Sequence, residues 1–184
     1  MRIIAGAWRG RPLVAPAGAA TRLTSERVRQ ALFDTLMHAP WAGRATVEDA
    51  VVLDVFAGTG ALGLEALSRG AARVTFIEQA PDAIAALRAN IRRCGAEAVT
   101  TIARLPGSGA RPPMGPAGLV FLDPPYGQGF VDTALAALTA AGWIAPDTLL
   151  VAETGKHEPP PCPAPLDTRV HGAARVTIWR CPSG

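Results

Sequence analysis

The chain has 184 residues and a mass of 19.1 kDa, which fits one ordinary domain with at most a small extension. Hydrophobic residues make up 49% of the sequence, so extended disorder is not expected, and no apolar run reaches the roughly 18 residues of a membrane-spanning helix. The three cysteines are an odd number without metal-ligand spacing, which excludes a disulfide scaffold and predicts reduced thiols in a cytoplasmic protein. Neither a bound metal nor a membrane partner is predicted.

Positive charge is concentrated in the N-terminal part of the chain. The whole sequence has a net charge of +3, but residues 1–44 contain seven arginines against Glu26 and Asp34, which gives that segment a formal charge of +5. The remaining residues carry a formal charge of −2. A basic segment of this kind is typical of an arm that contacts phosphates. We therefore predict a basic N-terminal extension at residues 1–44 and a main domain at residues 45–184.

The N-terminal extension is predicted to contain a small β-hairpin and one helix. Residues 2–5 and 12–15 are short apolar segments on either side of a turn rich in glycine and arginine, which predicts two short strands. Thr24 is a candidate N-cap for a helix that begins at Ser25. Apolar residues at four-residue spacing predict the buried face of this helix: Val28, Leu32 and Leu36.

From residue 51 onward, predicted strands alternate with predicted helices. The strands cover residues 51–56, 73–78, 98–102, 119–123 and 149–153, and the helices cover residues 61–68, 81–93 and 131–141. Residues 169–170 and 175–179 predict a terminal antiparallel pair. This alternation predicts an α/β fold with a doubly wound, mostly parallel sheet and helices on both faces. Because ligands of such sheets bind beyond the carboxyl ends of the strands, the chemistry is expected just after Phe56, Ile77 and Leu122.

A glycine-rich turn follows the first strand of the main domain. Gly58, Gly60 and Gly63 match the pattern G-x-G-x-x-G, which lets a ligand approach the backbone and presents the start of the next helix to an anionic group. The pattern alone also fits a nicotinamide dinucleotide. Asp54 favours S-adenosylmethionine, because a carboxylate near the strand end suits a cationic amine and not a pyrophosphate. The alternative is a packing turn in which Asp54 caps the helix.

Two further strand ends carry polar groups. Glu78 ends the second strand, where a carboxylate can accept hydrogen bonds from both hydroxyls of a ribose. After the fourth strand, Pro124 and Pro125 fix the backbone and remove two N–H donors, which leaves carbonyl oxygens available. Asp123 and the carbonyl of Pro124 could then accept the two hydrogens of an exocyclic amine, while Tyr126 stacks on the ring. This arrangement favours methyl transfer to a nucleobase amine.

These motifs together resemble those of class I, Rossmann-like methyltransferases that use S-adenosylmethionine. Within that class, the chain resembles the bacterial family that methylates the exocyclic N2 amine of a guanine in 16S ribosomal RNA. The resemblance covers nearly the whole chain and is carried by residues 2–11, 22–33, 54–71 and 123–126, of which residues 54–71 are the most specific. It implies that the partner is 16S ribosomal RNA or an assembling 30S subunit, and the protein is expected to act as a monomer.

The resemblance implies roles for three groups of residues. The residues expected to bind S-adenosylmethionine are Asp54, Phe56, Ala57, Gly58, Thr59, Gly60 and Glu78. The catalytic residues, which are expected to hold and orient the guanine, are Asp123, Pro124, Pro125 and Tyr126. The arginines expected to contact RNA, through phosphate pairing or base stacking, are Arg9, Arg11, Arg22, Arg27 and Arg29.

The segment after the third strand departs from the family pattern. Relatives usually place an Asp or Asn there to contact the adenine, but residues 100–108 contain neither an acid nor an amide side chain. Three alternative functions stay open at this point. They are methylation of an adenine N6 amine in RNA or DNA, a nicotinamide-dependent oxidoreductase, and a noncatalytic RNA-binding factor in ribosome assembly.

Overall fold

A computed structural model describes residues 1–15, 26–104, 112, 115–125, 127 and 129–182. The predictions for Thr24, Ser25, Arg22 and Tyr126 lie outside these residues. Within the described ranges there are four α-helices: Glu26–His38 (α1), Ala61–Ser68 (α2), Pro81–Cys94 (α3) and Phe130–Ala140 (α4). Seven β-strands accompany them: Val51–Val55 (β1), Arg73–Ile77 (β2), Thr100–Ala103 (β3), Ala117–Leu122 (β4), Ile144–Gly155 (β5), Asp167–His171 (β6) and Ala174–Arg180 (β7).

The seven strands form one sheet in the order β3-β2-β1-β4-β5-β7-β6. Strands β1 to β5 pair in parallel, whereas β7 runs antiparallel to both β5 and β6. The predicted doubly wound, mostly parallel sheet with antiparallel C-terminal strands is therefore confirmed. The strand order reverses between β1 and β4, so the crevice that such folds use for ligands opens beside the carboxyl ends of these two strands.

Helices cover both faces of the sheet. One core cluster joins α1, α2 and α3 to one face and includes Phe33, Leu64 and Leu87. A second cluster lies on the other face, under α4, and includes Leu138 and Trp143. This burial on both sides is why the central strands consist almost entirely of apolar residues. None of the helices in the described ranges combines the length and the hydropathy needed to cross a lipid bilayer.

Several strands differ from prediction in extent: β4 and β6 begin two residues early, and β5 and β3 differ for reasons that the structure shows. β5 is 12 residues long, because it begins at Ile144, which pairs with Ala117 of β4, and because its pairing with β7 continues as far as Gly155 and Ala174. β3 begins only at Thr100, because Glu97–Val99 form a short 3-10 helix. Both differences arise from contacts and turns that hydrophobic periodicity does not report.

The predicted N-terminal hairpin contains a single antiparallel bridge, between Arg2 and Pro12, in place of two strands. The physical reason is that its backbone donors bind a side chain of α2. The N–H groups of Ile4 and Ala5 donate to the two carboxylate oxygens of Glu65 over 2.8 and 3.0 Å. The N–H of Ala5 is therefore not available to continue the pairing, which is limited to the backbone bonds that Met1 and Ile3 make with residues 10–13.

Gly6 lies where the turn of this hairpin touches α2. Its φ is +80°, and a Cβ atom there would lie 1.7 Å from the carbonyl oxygen of Ser68, so only glycine fits. Ile3 and Leu13 are buried in the same core cluster as α1 and α2. The extension thus packs directly on the main body, and a division of the chain at residue 44 stays a prediction.

Candidate active site at the carboxyl edge of the sheet

The turn between β1 and α2 has a left-handed backbone at three positions. The φ angles are +62° at Phe56, +54° at Gly58 and +77° at Gly60. Such a conformation is strained for a phenylalanine, and strain of this kind concentrates at functional sites. A Cβ atom on Gly58 would meet only the carbonyl oxygen of Phe56, at 3.9 Å, whereas one on Gly60 would lie 2.4 Å from Leu87. Gly60 therefore permits packing against α3, and Gly58 is the place where a ligand can approach the backbone.

Asp54 is a buried carboxyl group beneath this turn. It is 2% exposed, and its Oδ2 accepts a hydrogen bond from the N–H of Gly63 over 2.9 Å, which caps the start of α2. Burial, together with the negative charges of Asp123 and Glu78, raises the pKa of Asp54 to about 8, although the hydrogen bond from Gly63 lowers it. The helix-capping alternative is thus present in the structure, and the contact with a cationic amine stays a prediction.

Replacing Asp54 with asparagine tests this raised pKa, because an amide oxygen can still cap α2 but cannot ionise. The native carboxyl group keeps its proton up to about pH 8, whereas the unfolded chain loses it near the ordinary value of 3.8. Wild-type stability therefore falls as the pH rises through this window. We expect Asp54→Asn to become increasingly more stable than wild type between about pH 4 and pH 8 in urea unfolding, with a constant difference above. A difference that stayed constant throughout would contradict the raised pKa.

Glu78 binds the backbone on both sides of its strand end. Its Oε2 accepts the N–H of Gly58 over 2.8 Å, and its Oε1 accepts the N–H groups of Gln79 and Ala80 over 2.7 and 2.9 Å. A carboxylate offers about four acceptor positions, so the capacity left for a ligand lies mainly on Oε2. Glu78 therefore fastens the glycine turn to the end of β2. A bidentate contact with a ribose, which stays a prediction, would require Gly58 to share or release this oxygen.

The corner formed by Asp123, Pro124 and Pro125 extends β4 beyond its carboxyl end. The N–H of Asp123 donates to the carbonyl of Val55 over 3.3 Å, which keeps Asp123 next to the end of β1. Asp123 is half-buried, Pro124 is buried and Pro125 is exposed. Because Tyr126 lies outside the described residues, its stacking role stays a prediction.

A cavity of about 310 Å³ opens beside this corner. Its walls come from the loop after β4, the start of α4 and the end of β5, and they include Pro124, Phe130, Glu153 and Glu158. Phe130 also packs on Phe56, with ring centroids 5.9 Å apart, and so joins the cavity wall to the glycine turn. The volume falls within the range of small-molecule sites, roughly 300–1,000 Å³, and is sufficient for a planar base.

Glu158 connects the two loops of the cavity, a role that is not predicted from the sequence. Its Oε1 accepts the N–H of Gly127, which follows the proline corner, over 3.0 Å. The same oxygen accepts the N–H of Gly155, at the end of β5, over 2.8 Å. Glu158 precedes a proline-rich stretch without a recognisable motif, so no local signal marks its role.

Asn90 is a second residue whose role is not predicted from the sequence. It is fully buried on α3, where its Nδ2 donates to the carbonyls of Val14 and Thr59, both over 2.9 Å. Its Oδ1 accepts the N–H of Val14 over 2.7 Å. Asn90 thus connects the N-terminal extension to the glycine turn. An amide between the apolar residues Leu87 and Ile91 is the signal that could have found it, because buried amides need partners.

The arginines predicted to contact RNA differ in their exposure. Arg9 and Arg27 are exposed to solvent. Arg11 is partly buried, and its Nη1 donates to the carbonyl of Arg93 near the end of α3. Arg22 lies outside the described residues. The positions of Arg9, Arg11 and Arg27 are compatible with contacts to RNA, and these contacts stay predictions.

The predicted RNA contact of Arg29 is wrong. Its side chain is 0% exposed, its Nε lies 3.6 Å from the Glu65 carboxylate, and its Nη2 donates to the carbonyl of Arg2. The reason is helical spacing, since Arg29 lies three, four and seven positions before the buried residues Leu32, Phe33 and Leu36. Arg29 therefore shares their inward face and anchors α1 and the extension to α2.

The charges at this edge of the sheet suit a cationic ligand. Asp123 and Glu78 lie close enough to Asp54 to raise its pKa. In the described part of the chain, no group of three or more His, Cys, Asp or Glu side chains is arranged to hold a metal ion. Carboxylates that repel one another in a partly buried crevice are stabilised by a bound cation. This donor set and the open backbone at Gly58 fit S-adenosylmethionine, which carries a sulfonium and an amine.

The chain resembles known proteins along nearly its whole length. Residues 1–179 match the family model described as Conserved hypothetical protein 95. Ribosomal RNA small subunit methyltransferase D of Escherichia coli (strain K12) is 40% identical over 162 residues, which are 84% of this chain and 74% of that protein. The Haemophilus influenzae protein of the same name is 36% identical over 163 residues, which are 86% of this chain and 81% of that protein. The chain belongs to this methyltransferase family.

A solved structure of the same family has the same fold. The yhhF protein from Escherichia coli superposes with a TM-score of 0.82 at 32% sequence identity, covering 100% of this chain and 99% of that chain. The expected Rossmann-like methyltransferase fold is thus confirmed. Membership of the family also removes the nicotinamide-dependent oxidoreductase from the alternatives, because the chain is a methyltransferase.

Proposed function

We propose that this protein transfers a methyl group from S-adenosylmethionine to the exocyclic N2 amine of a guanine in 16S ribosomal RNA. One observation carries the proposal: the Asp123–Pro124 corner lies between the carboxylates around the glycine turn and a cavity of about 310 Å³. A methyl donor on one side and a planar base on the other would meet at this corner. The names of the relatives, ribosomal RNA small subunit methyltransferases, support the substrate class.

The ends of β1 and β2 would hold the cofactor. Gly58 provides backbone that no side chain covers, and Glu78 provides acceptor oxygens. A bound cation would favour ionisation of Asp54, whose pKa of about 8 belongs to the protein without a ligand. The other residues assigned to the cofactor shape the turn: Phe56, Ala57, Thr59 and Gly60. When bound, S-adenosylmethionine supplies an electrophilic methyl group to the amine of the base.

The Asp123–Pro124 corner would prepare the amine of the guanine. The lone pair of N2 is delocalised into the ring, so the amine is a weak nucleophile. Acceptance of its two hydrogens by the Asp123 carboxylate and the Pro124 carbonyl favours the pyramidal form and directs the lone pair. The N2 proton lost on transfer can pass to Asp123 or to water. The contribution of these residues is therefore positioning and electrostatic stabilisation.

Label transfer to ribosomal subunits tests the proposal. The protein is incubated with methyl-labelled S-adenosylmethionine and small subunits that lack the modification, and the RNA is then digested to nucleosides. We expect the label in N2-methylguanosine from 16S ribosomal RNA. Label in N6-methyladenosine would support the adenine alternative. Binding to the subunits without label transfer would support a noncatalytic assembly factor.

Arg9 and Arg27 provide a prediction for RNA binding. Replacing both with glutamate should weaken binding and flatten the dependence of log affinity on log salt by about one unit per arginine, because each phosphate contact releases counterions. Filter binding at several salt concentrations measures this slope. Arg73→Glu, the same reversal of charge at the exposed start of β2 in the predicted main domain, is the control and should leave the slope unchanged. An unchanged slope in the double variant would show that neither arginine contacts the phosphates of the RNA.

A further inference from the structure

Glu153 is a neighbour of Asp123 at the carboxyl edge of the sheet. In the pairing of β4 with β5, Leu122 is aligned with Ala152, so the next residues along the two strands, Asp123 and Glu153, lie next to each other. Neighbouring strands are about 4.7–4.9 Å apart. The sheet therefore brings two carboxyl groups side by side, on the side of the corner that faces away from the glycine turn.

Both side chains lie on the same face of the sheet. Phe121 and Val151 belong to the core cluster beneath α1. Because residues two apart in a strand face the same side of the sheet, the side chains of Asp123 and Glu153 lie on the same face as those of Phe121 and Val151. In agreement, Asp123 and Glu153 both line a narrow crevice of about 10 Å³ next to α1 and α2. Glu153 also lines the cavity of about 310 Å³. It therefore connects the position of Asp123 with the space that a base would occupy.

A carboxylate in this position distinguishes purines by the hydrogen on N1. In guanine, the N2 amine is adjacent to the N1–H donor on the same edge of the ring. In adenine and in 2-aminopurine, N1 carries a lone pair and no hydrogen. Since an ionised carboxyl group can only accept hydrogen bonds, it attracts the guanine edge and repels the other two. A site built around such a bond rejects bases that lack the donor.

We propose that Glu153 selects guanine by accepting its N1–H while Asp123 and the Pro124 carbonyl hold the N2 amine. This inference rests on the proposed function. Glu153 is a specificity-determining residue, because its partner atom is adjacent to the methylated nitrogen and does not itself react. Glu158 also lines the cavity but does not fill this role, because it joins two loops beyond the ends of β4 and β5 and is not aligned with Asp123 in the sheet.

The test uses 2-aminopurine, which keeps the 2-amine of guanine but lacks the hydrogen on N1. Small subunits are reconstituted with 16S ribosomal RNA that carries guanosine or 2-aminopurine riboside at the position found by label transfer. The value of kcat/KM for each substrate is measured with wild type and with Glu153→Gln. We expect wild type to prefer guanine by roughly 10- to 150-fold, the range for a hydrogen bond to a charged group.

Glu153→Gln is expected to transfer methyl groups to guanine more slowly and to lose most of the preference between the two bases. The ratio should fall to within about threefold, because an amide can donate to a bare N1 as well as accept from N1–H. Glu97→Gln, the same change on the exposed 3-10 helix, is the matched control and should leave both rates at wild-type values. Calorimetric binding of S-adenosylmethionine checks that the Glu153→Gln protein is folded.

Two results would overturn this inference. The first is a wild-type ratio of kcat/KM near one, which does not depend on whether Glu153→Gln folds. The second is a folded Glu153→Gln protein that keeps the wild-type ratio, including one whose kcat/KM falls equally for both substrates. By contrast, absence of label on guanine-containing subunits with wild type would refute the proposed function itself.

Discussion

Asp123→Ala is expected to lower kcat for methyl transfer by about 10²–10³-fold or more, because a preorganised acceptor for the reacting amine is removed. The dissociation constant of S-adenosylmethionine should change by no more than about threefold, since the cofactor residues are on the neighbouring strands. Asp123→Asn keeps one acceptor oxygen at the same place and should retain more activity than the alanine variant. Single-turnover label transfer and equilibrium binding of the cofactor measure the two effects separately.

Loss of Asp123 is not expected to destabilise the fold. Its negative charge contributes to the raised pKa of the buried Asp54, so its removal relieves a repulsion once Asp54 is ionised, above about pH 8. Above that pH, the melting temperature of Asp123→Ala should be no lower than that of wild type. Near-normal turnover by the folded variant would show that Asp123 does not act as the acceptor for the reacting amine. An equal loss of cofactor binding would instead assign Asp123 to the cofactor.

Glu65→Ala is expected to lower the melting temperature by about 6–20 °C. Glu65 is 0% exposed, accepts the N–H groups of Ile4 and Ala5 and the Nε of Arg69 over 2.8–3.0 Å, and lies 3.6 Å from Arg29. Its removal leaves two buried guanidinium groups without their carboxylate. Breaking a buried ion pair costs about 3–5 kcal/mol. Each kcal/mol corresponds to about 2–4 °C for a chain of this size.

Two further variants are compared with Glu65→Ala. Glu97→Ala, on an exposed 3-10 helix, should change the free energy of unfolding by less than about 0.5 kcal/mol. Glu65→Gln keeps an acceptor oxygen but loses the charge, so its melting temperature should lie between those of wild type and Glu65→Ala. Scanning calorimetry measures all three variants. If Glu65→Ala had the same melting temperature as wild type, the buried network around Glu65 would not be what holds the extension to α2.

The sequence predicts those parts of the fold in which local signals decide the structure. β1, α2 and β2 agree with their predicted bounds to within one residue, because each is a short apolar segment flanked by clear turn residues. Pro81 at the first helical position starts α3, and Gly95 in a left-handed conformation ends it. The topological rule for parallel sheets then places Asp54, Glu78 and Asp123 at one edge.

Features that depend on distant residues could not be predicted in this way. The sequence identifies Glu65 as an acid within an apolar helix, but it does not identify its partners, the backbone N–H groups of Ile4 and Ala5. Helical spacing would have placed Arg29 on the buried face of α1, yet its charge favoured an exposed role. The bonds made by Glu158 join loops that are adjacent only in the folded chain.

Asn90 has a consequence for how the two substrates affect each other. It bonds both Val14 in the N-terminal extension and Thr59 in the glycine turn, so any ligand that orders one of these segments also restrains the other. We expect Asn90 to contribute to heterotropic cooperativity between methyl donor and RNA, because it contacts both segments directly. Thermodynamic reciprocity then requires the donor to change RNA affinity by the same factor as RNA changes donor affinity, whichever of the two arrives first.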